Sequence, residues 1–122
     1  MPGIVPTEEA LRELVGDDVP IVPVSSGEPV LVKVTVANSD LMYTVSLDSR
    51  VLIKNITSRQ ETIDGLTAGV HRLAWAFTHR REDWRHEVSV TPDDGDEVVL
   101  ESLSAANGDN DVSVGLALLL VS

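Results

Sequence analysis

The sequence has no cysteine and few basic residues. Without cysteine, the chain can form neither disulfides nor cysteine-ligated zinc sites. Nine Lys and Arg stand against 20 Asp and Glu, which gives a formal net charge of -11. Binding of nucleic acid or of anionic membranes depends on a basic surface, so this balance argues against both. The acidic charge suits a partner that has a basic patch.

Long apolar runs are also missing. No uncharged stretch approaches the roughly 18 apolar residues that a transmembrane helix requires. Glu8, Glu9 and Glu13 lie where a signal peptide would need a basic start and an apolar run. Because the absence of cysteine also fits a reducing compartment, we expect a cytoplasmic protein.

Aromatic residues make up only 3% of the chain. Val, Leu and Ile must therefore fill most of the core, and β-branched side chains favour pleated surfaces. With 122 residues, of which 43% are hydrophobic, the chain is long and apolar enough for one two-layer domain.

Signatures of catalysis are absent as well. The sequence has no Gly-x-Ser-x-Gly elbow and no glycine-rich phosphate loop. Two oxygen-rich loops, 93–96 and 107–111, hold residue types that bind calcium, but they lack the EF-hand spacing and are typical of tight turns. We predict a protein that is not an enzyme, with no catalytic residues, no cofactor and no metal site.

The stretch from Ile63 to Val90 contains two clean alternations of apolar and polar residues, which are typical of strands with one buried face. Similar rows occupy 30–37 and 41–47, and turn signals recur every 8 to 12 residues, which favours an antiparallel β-sandwich or barrel of seven or eight strands. The inward rows would be His71, Leu73, Trp75 and Phe77 in the first strand, and Trp84, His86, Val88 and Val90 in the second.

Residues 1–29 differ from this pattern. Thr7 is a predicted N-cap and Gly16 a predicted stop for a helix of about two turns. Its apolar face, Ala10, Leu11, Leu14 and Val15, must dock, either on this domain or on a partner. The prolines that follow predict an edge strand or an extended connector. We therefore divide the chain into an N-terminal helix with a Pro-rich edge segment, 1–29, and a β-sandwich domain, 30–122.

The last strand is apolar on both sides near its end. Val112, Val114, Leu116, Leu118 and Leu120 form one apolar row, and from residue 117 the opposite row is apolar too. This second row consists of Ala117, Leu119 and Val121. Either the N-terminal helix covers it or it is exposed to a partner subunit.

The segment 63–73, Ile-Asp-Gly-Leu-Thr-Ala-Gly-Val-His-Arg-Leu, resembles the PEGA-type β-sandwich domains. Segments 87–90 and 98–103 are similar to the closing strands of that family, so the resemblance spans about residues 50–103. The Pro-Glu-Gly-Ala signature itself is absent from 47–60. The resemblance implies a small immunoglobulin-like accessory module that is usually non-catalytic. With the helix predicted above, we expect an all-β, antiparallel immunoglobulin-like β-sandwich of seven or eight strands with a short N-terminal helix.

A basic cluster connects the two central strands. His79, Arg80, Arg81, Trp84 and Arg85 concentrate positive charge in an otherwise acidic chain. Arg binds carboxylates and phosphates through paired hydrogen bonds, so the cluster is a candidate site for an acidic partner, although a solvated hairpin would have the same composition. Together with Ala117, Leu119 and Val121 it completes the predicted partner-binding set.

We expect a non-enzymatic protein–protein interaction or assembly module that self-associates. The alternative is a sandwich that binds a small ligand or carbohydrate.

Overall fold

A computed structural model describes residues 6–37, 42–79, 84–93, 95–105 and 111–122. Over these residues the chain forms one short helix and nine strands, where the sequence predicted seven or eight strands. The elements are α1 (Glu8–Val15), β1 (Ile21–Val24), β2 (Val30–Val36), β3 (Met42–Leu47), β4 (Arg50–Asn55), β5 (Arg59–Ile63), β6 (Gly69–His79), β7 (Trp84–Pro92), β8 (Val98–Ala105) and β9 (Asp111–Val121).

The strands form two sheets that share one core. The five-stranded sheet has the order β1-β9-β6-β3-β4, and the four-stranded sheet has the order β5-β2-β7-β8. β1 runs parallel to β9, and the other pairs described are antiparallel. Val32 and Val34 of one sheet belong to the same buried cluster as Tyr43 and Val45 of the other. The fold is therefore all-β and sandwich-like.

The alternating rows predicted along the central strands point into this core. Removing an aliphatic side chain of this size from water contributes about 1.5–3 kcal/mol before the entropy of ordering is subtracted, so these rows hold the two sheets together. The buried members are Val30, Val32 and Val34 in β2; Leu73, Trp75 and Phe77 in β6; and His86, Val88 and Val90 in β7.

Helix α1 begins and ends where the sequence predicted. Thr7 accepts a hydrogen bond at its side-chain oxygen from the Ala10 N–H (3.1 Å), which satisfies one of the donors left free at a helix start. Gly16 ends the helix with a φ of 81°, a conformation that glycine adopts without a steric penalty. Its N–H donates to the Arg12 carbonyl at 2.8 Å.

The helix docks on the outside of the five-stranded sheet. Leu11 packs with Ile21, Leu118 and Leu120 in a second, smaller buried cluster. The predicted apolar face is only partly used, since Leu14 is 82% exposed. Leu11 is therefore the buried anchor of the helix, and Val15 packs against the same cluster while partly exposed.

The Pro-rich segment after the helix forms an edge strand of the sandwich. β1 pairs with the end of β9, with Val22 opposite Leu119 and Val24 opposite Val121. Both valines belong to the shared core. Pro23 is exposed, as expected for a residue that has no N–H to give to a ladder and is therefore confined to sheet edges.

Candidate interaction surface

The predicted basic cluster is only partly described. Arg80 and Arg81 lie outside the described residues, and His79 ends β6 with no description of its side chain. Arg85 is exposed at the start of β7, whereas Trp84 is partly buried. Of the five residues, Arg85 is therefore the one that the structure places at the surface.

Trp84 belongs to a stack of rings that leads into the core. Its indole lies 5.6 Å from the His86 ring at an angle of 9°, and His86 stacks on Phe77 at 3.8 Å and 6°. Phe77 in turn contacts Tyr43, with ring centroids 5.2 Å apart. Trp84 thus packs against this chain instead of presenting an open aromatic face.

The two faces of β9 are the reverse of the prediction. Ala117, Leu119 and Val121, expected beneath the helix or at a subunit interface, are each 0% exposed and belong to the core between the sheets. Buried in this way, they are not accessible to a partner. The helix covers Leu118 and Leu120, which the sequence placed on the other row.

The register with β6 explains this reversal. Trp75 lies opposite Gly115, and Leu73 lies opposite Ala117. A Cβ at residue 115 would lie 2.5 Å from Trp75 Cζ2 and closer still to its Nε1 and Cε2. The indole therefore occupies the space that a side chain on β9 would fill, and only glycine fits. Small residues, Gly115 and Ala117, thus mark the inward row of β9, a signal that the alternation of apolar residues does not contain.

The reversal leaves an apolar surface on the solvent side of the five-stranded sheet, which we call the outer face. Val112 is 61% exposed, Val114 73% and Met42 53%. The register brings them into rows with the small residues of β3 and β6. None of the members is acidic, in a chain with 20 acidic residues. The outer face consists of Met42, Thr44, Ser46, Ala74, Ala76, Val112, Val114 and Leu116.

A shallow depression lies in this outer face. It measures about 300 Å³, and its lining includes Ala74 and Ala76 between Thr44 on one side and Val114 on the other. Ala74 and Ala76 are neighbours on the outward side of β6, the middle strand of this sheet, and their short side chains form the floor of the depression. The depression is open to solvent and its lining is mostly apolar, so an aliphatic side chain of another molecule can pack in it.

A buried histidine ties the edge strand β8 to the core. His86 is 0% exposed, and its Nε2–H donates to a carboxylate oxygen of Glu101 at 2.6 Å. Buried polar groups require such partners, because an unpaired one costs about 1–3 kcal/mol. The sequence predicted the inward direction of His86, but nothing in it indicated Glu101 as the partner.

A second histidine, His71, is hydrogen bonded to Asp48 and Thr67, and we call these three residues the clasp. The His71 ring is hydrogen bonded at both nitrogens, with Nδ1 2.6 Å from an Asp48 carboxylate oxygen and Nε2 2.8 Å from the Thr67 carbonyl oxygen. The Arg72 N–H donates to the other Asp48 oxygen at 2.8 Å. Both partners of the ring, a carboxylate oxygen and a carbonyl oxygen, accept hydrogen bonds and donate none. Both bonds therefore form together when the ring is the charged imidazolium.

The two groups shift each other's proton affinity. Partial burial alone would raise the pKa of Asp48, but hydrogen bonds from the Arg72 N–H and from His71 hold that pKa below its ordinary value of 3.8. Burial alone would lower the pKa of His71, but the hydrogen bonds to Asp48 and Thr67 raise that pKa above its ordinary value of 6.5. The clasp joins the β3–β4 turn to the start of β6.

This clasp predicts a pH dependence of stability. The raised pKa means that His71 stabilises the fold fully below pH 6.5, an effect lost as the pH rises through the folded pKa. Asp48 contributes above pH 3.8, an effect lost as the pH falls through its lowered pKa. We expect the wild type to exceed His71→Gln in unfolding free energy at about pH 5.5, by less than about 1 kcal/mol because Asp48 is half exposed, and to lose that margin at about pH 8.5. Urea unfolding of both proteins measures it, and a margin that grows with pH would contradict the clasp.

Comparison with protein-family models, with curated proteins and with solved structures finds no match for this chain. The described part of the chain has no helix with the length and apolar character needed to cross a bilayer. Within the described ranges, no three His, Asp or Glu side chains gather as metal ligands would. The loop 107–110 and Asp94 lie outside those ranges.

Proposed function

We propose that this chain is a non-enzymatic assembly module that self-associates through the outer face of its five-stranded sheet. The observation behind the proposal is the row of exposed aliphatic side chains at this face, with Val114 at 73% and Val112 at 61% exposure. A contiguous apolar surface of this kind is typical of protein–protein contact sites.

The distribution of charge favours this face as the contact between two copies. Each copy has a formal charge of -11, so two copies repel each other over most of their surfaces. The outer face has no acidic member, and the charged side chains beside it on β4 and β6, Lys54 and Arg72, are basic. Two copies can therefore bring their outer faces together without placing carboxylates of this face against each other. The acidic side chains of α1, Glu8, Glu9 and Glu13, lie on the same side of the sheet but at the end of β9 that holds Leu118 and Leu120.

The size of the face sets the strength of the association. Three strands about 4.8 Å apart and some five residues long cover roughly 15 by 17 Å. Standard interfaces bury about 800 Å² on each partner, so this area alone predicts a weak dimer that forms at high concentration. The central depression adds shape, since it can receive an aliphatic side chain of the second copy.

The alternative of a carbohydrate-binding sandwich has less support. Sugar binding needs an exposed aromatic ring on which the sugar can stack. Tyr43, Trp75 and Phe77 are at most 4% exposed, and Trp84 is stacked on His86. These four residues are all the aromatic residues of the chain.

Sedimentation velocity over a wide concentration range tests the proposal. The wild-type sedimentation coefficient should rise with concentration, and Val114→Glu should remove the rise, because it would bury two like charges in the contact. Thr62→Glu adds the same charge at an exposed position of the four-stranded sheet and should leave the rise intact. A wild type that remains monomeric throughout, or a Val114→Glu protein that associates normally, would refute self-association through this face.

We also propose that the sandwich is of the immunoglobulin-like, PEGA-related kind. The support comes from the segment 63–73, where Leu66 is buried and both glycines, Gly65 and Gly69, adopt positive φ values of 70° and 135°. The resemblance therefore rests on residues whose conformations favour glycine. An accessory module without catalytic chemistry agrees with an assembly role.

A further inference from the structure

The two sheets have four edge strands, and three of them have features that prevent further strand pairing. β1 is only four residues long and contains Pro23. β4 has Arg50 and Lys54, both exposed, and β5 has the exposed Arg59 and Glu61. Short length, proline and charged side chains are the usual protection of sheet edges against the addition of another strand.

The fourth edge, β8, lacks this protection. It runs for eight residues, and its one charged side chain is Glu101. The Glu101 side chain faces inward and is 18% exposed, and one of its carboxylate oxygens lies 2.6 Å from Nε2 of His86. The edge therefore has no free charge, and it exposes apolar side chains, with Val99 at 50% and Leu103 at 43%.

Only part of β8 is regular enough to pair with another strand. The register with β7 shifts between Val88 and Ser89, which leaves Leu100 as an extra residue on β8. Beyond this bulge, residues 101–105 pair with β7 without interruption. Among the described residues no strand lies on the other side of β8. Strand addition gains affinity from such unpaired backbone groups.

The charges around β8 indicate which kind of strand it would accept. Asp93, Asp96 and Glu97 precede the strand and are exposed, so its starting end is strongly acidic. A second copy, paired antiparallel, would bring the uncharged end of its own β8 to this acidic segment and would leave the acidic charge without a partner. A basic segment would be attracted, because its charges would pair with these exposed carboxylates.

We propose that the β8 edge is a docking site for an extended peptide of alternating apolar residues with basic residues at its C-terminal end. The peptide pairs antiparallel with residues 101–105, in keeping with the antiparallel pairing throughout this sheet. In that direction its C-terminal end points toward Asp96 and Glu97. This site lies on the four-stranded sheet and is separate from the self-association proposed for the outer face.

The test uses the full chain and a labelled synthetic peptide of alternating threonine and valine that ends in two lysines. Fluorescence anisotropy should report binding, and hydrogen exchange should show new amide protection within β8. A second peptide of the same composition, with the two lysines at its N-terminal end, should bind more weakly than the first. Asp96→Asn should weaken binding of the first peptide by about threefold at low salt.

Ser102→Lys places a charge on the edge itself and should abolish measurable binding, because exposed edge lysines oppose strand addition. Thr62→Lys, on the exposed edge strand β5, is the matched control and should bind like the wild type. The proposal is overturned if neither peptide binds, if Ser102→Lys binds normally, or if protection appears on β3, β6 and β9 instead. Protection of β8 that grows with protein concentration in the absence of peptide would show a second copy as the occupant and would also overturn it.

Discussion

Leu119→Ala is expected to lower the free energy of unfolding by about 2–5 kcal/mol, the range for deleting a large buried side chain. Leu119 is 0% exposed and lies in the core between the two sheets, opposite His71 on β6 and Val22 on β1. The substitution removes its contacts and leaves a cavity that close-packed neighbours fill only partly. Urea unfolding followed by tryptophan fluorescence measures the change.

Val114→Ala is the matched control for Leu119→Ala. It shortens an aliphatic side chain on the same strand, but one that is 73% exposed. Substitutions at such positions usually change stability by no more than about 0.5 kcal/mol. If Val114→Ala cost as much as Leu119→Ala, the assignment of the two faces of β9 would be wrong.

Gly115→Ala should destabilise the protein by about 1–3 kcal/mol, the usual cost of overfilling a packed core. The added methyl group would overlap Nε1 and Cε2 of Trp75, so the indole must leave its position. Gly95→Ala is the control, because there the nearest atom to the new Cβ is 3.5 Å away on Pro92. Thermal unfolding of both variants measures the difference.

A double-mutant cycle shows whether Trp75 is the source of that cost. Trp75 Nε1 is buried with no hydrogen-bond partner among the described residues, so Trp75→Phe loses no hydrogen bond. It removes the ring edge that Gly115 accommodates. The double variant should therefore be more stable than the sum of the single changes predicts, by at least about 0.5 kcal/mol. Simple additivity would mean that the two residues do not compete for the same space.

Much of the architecture could be predicted from local patterns. β2, β6 and β7 each alternate cleanly between apolar and polar residues, and their buried side chains lie in the predicted rows. His71 and Trp84, which begin two of these rows, are only partly buried. Thr7 and Gly16 delimit α1 because capping depends on the residues at the helix ends alone. These features involve neighbours in sequence, and the sequence contains them directly.

The faces of β9 could not be predicted in the same way. From residue 116 onward both rows are apolar, so alternation no longer distinguishes the inward from the outward side. The deciding fact is the pairing of Gly115 with Trp75, which lie 40 positions apart in the chain. The bonds of His71 to Asp48 and of His86 to Glu101 likewise join residues 23 and 15 positions apart. Such pairs follow from the assembled sheets and from no local signal.

The candidate site depends on the same fact. With the predicted faces, the aliphatic row of Val112 and Val114 would have been core. Ala117, Leu119 and Val121 would have lain under the N-terminal helix or at a partner surface. The structure exchanges these roles. The outer face, and with it the proposed self-association, depends on this direction of β9, in which Gly115 on the inward row leaves space for the Trp75 indole.

The direction of β9 is tested most directly by thiol labelling, since the chain has no cysteine of its own. Val114→Cys and Leu119→Cys would each introduce a single thiol on one of the two faces. In dilute native protein, residue 114 should react with a thiol reagent at nearly the rate of a free thiol, and residue 119 only as fast as the protein opens. Labelling at 114 should then slow as the protein concentration rises and the outer face becomes covered. Rapid labelling at 119 with protection at 114 in dilute protein would contradict the fold of β9 and the surface derived from it.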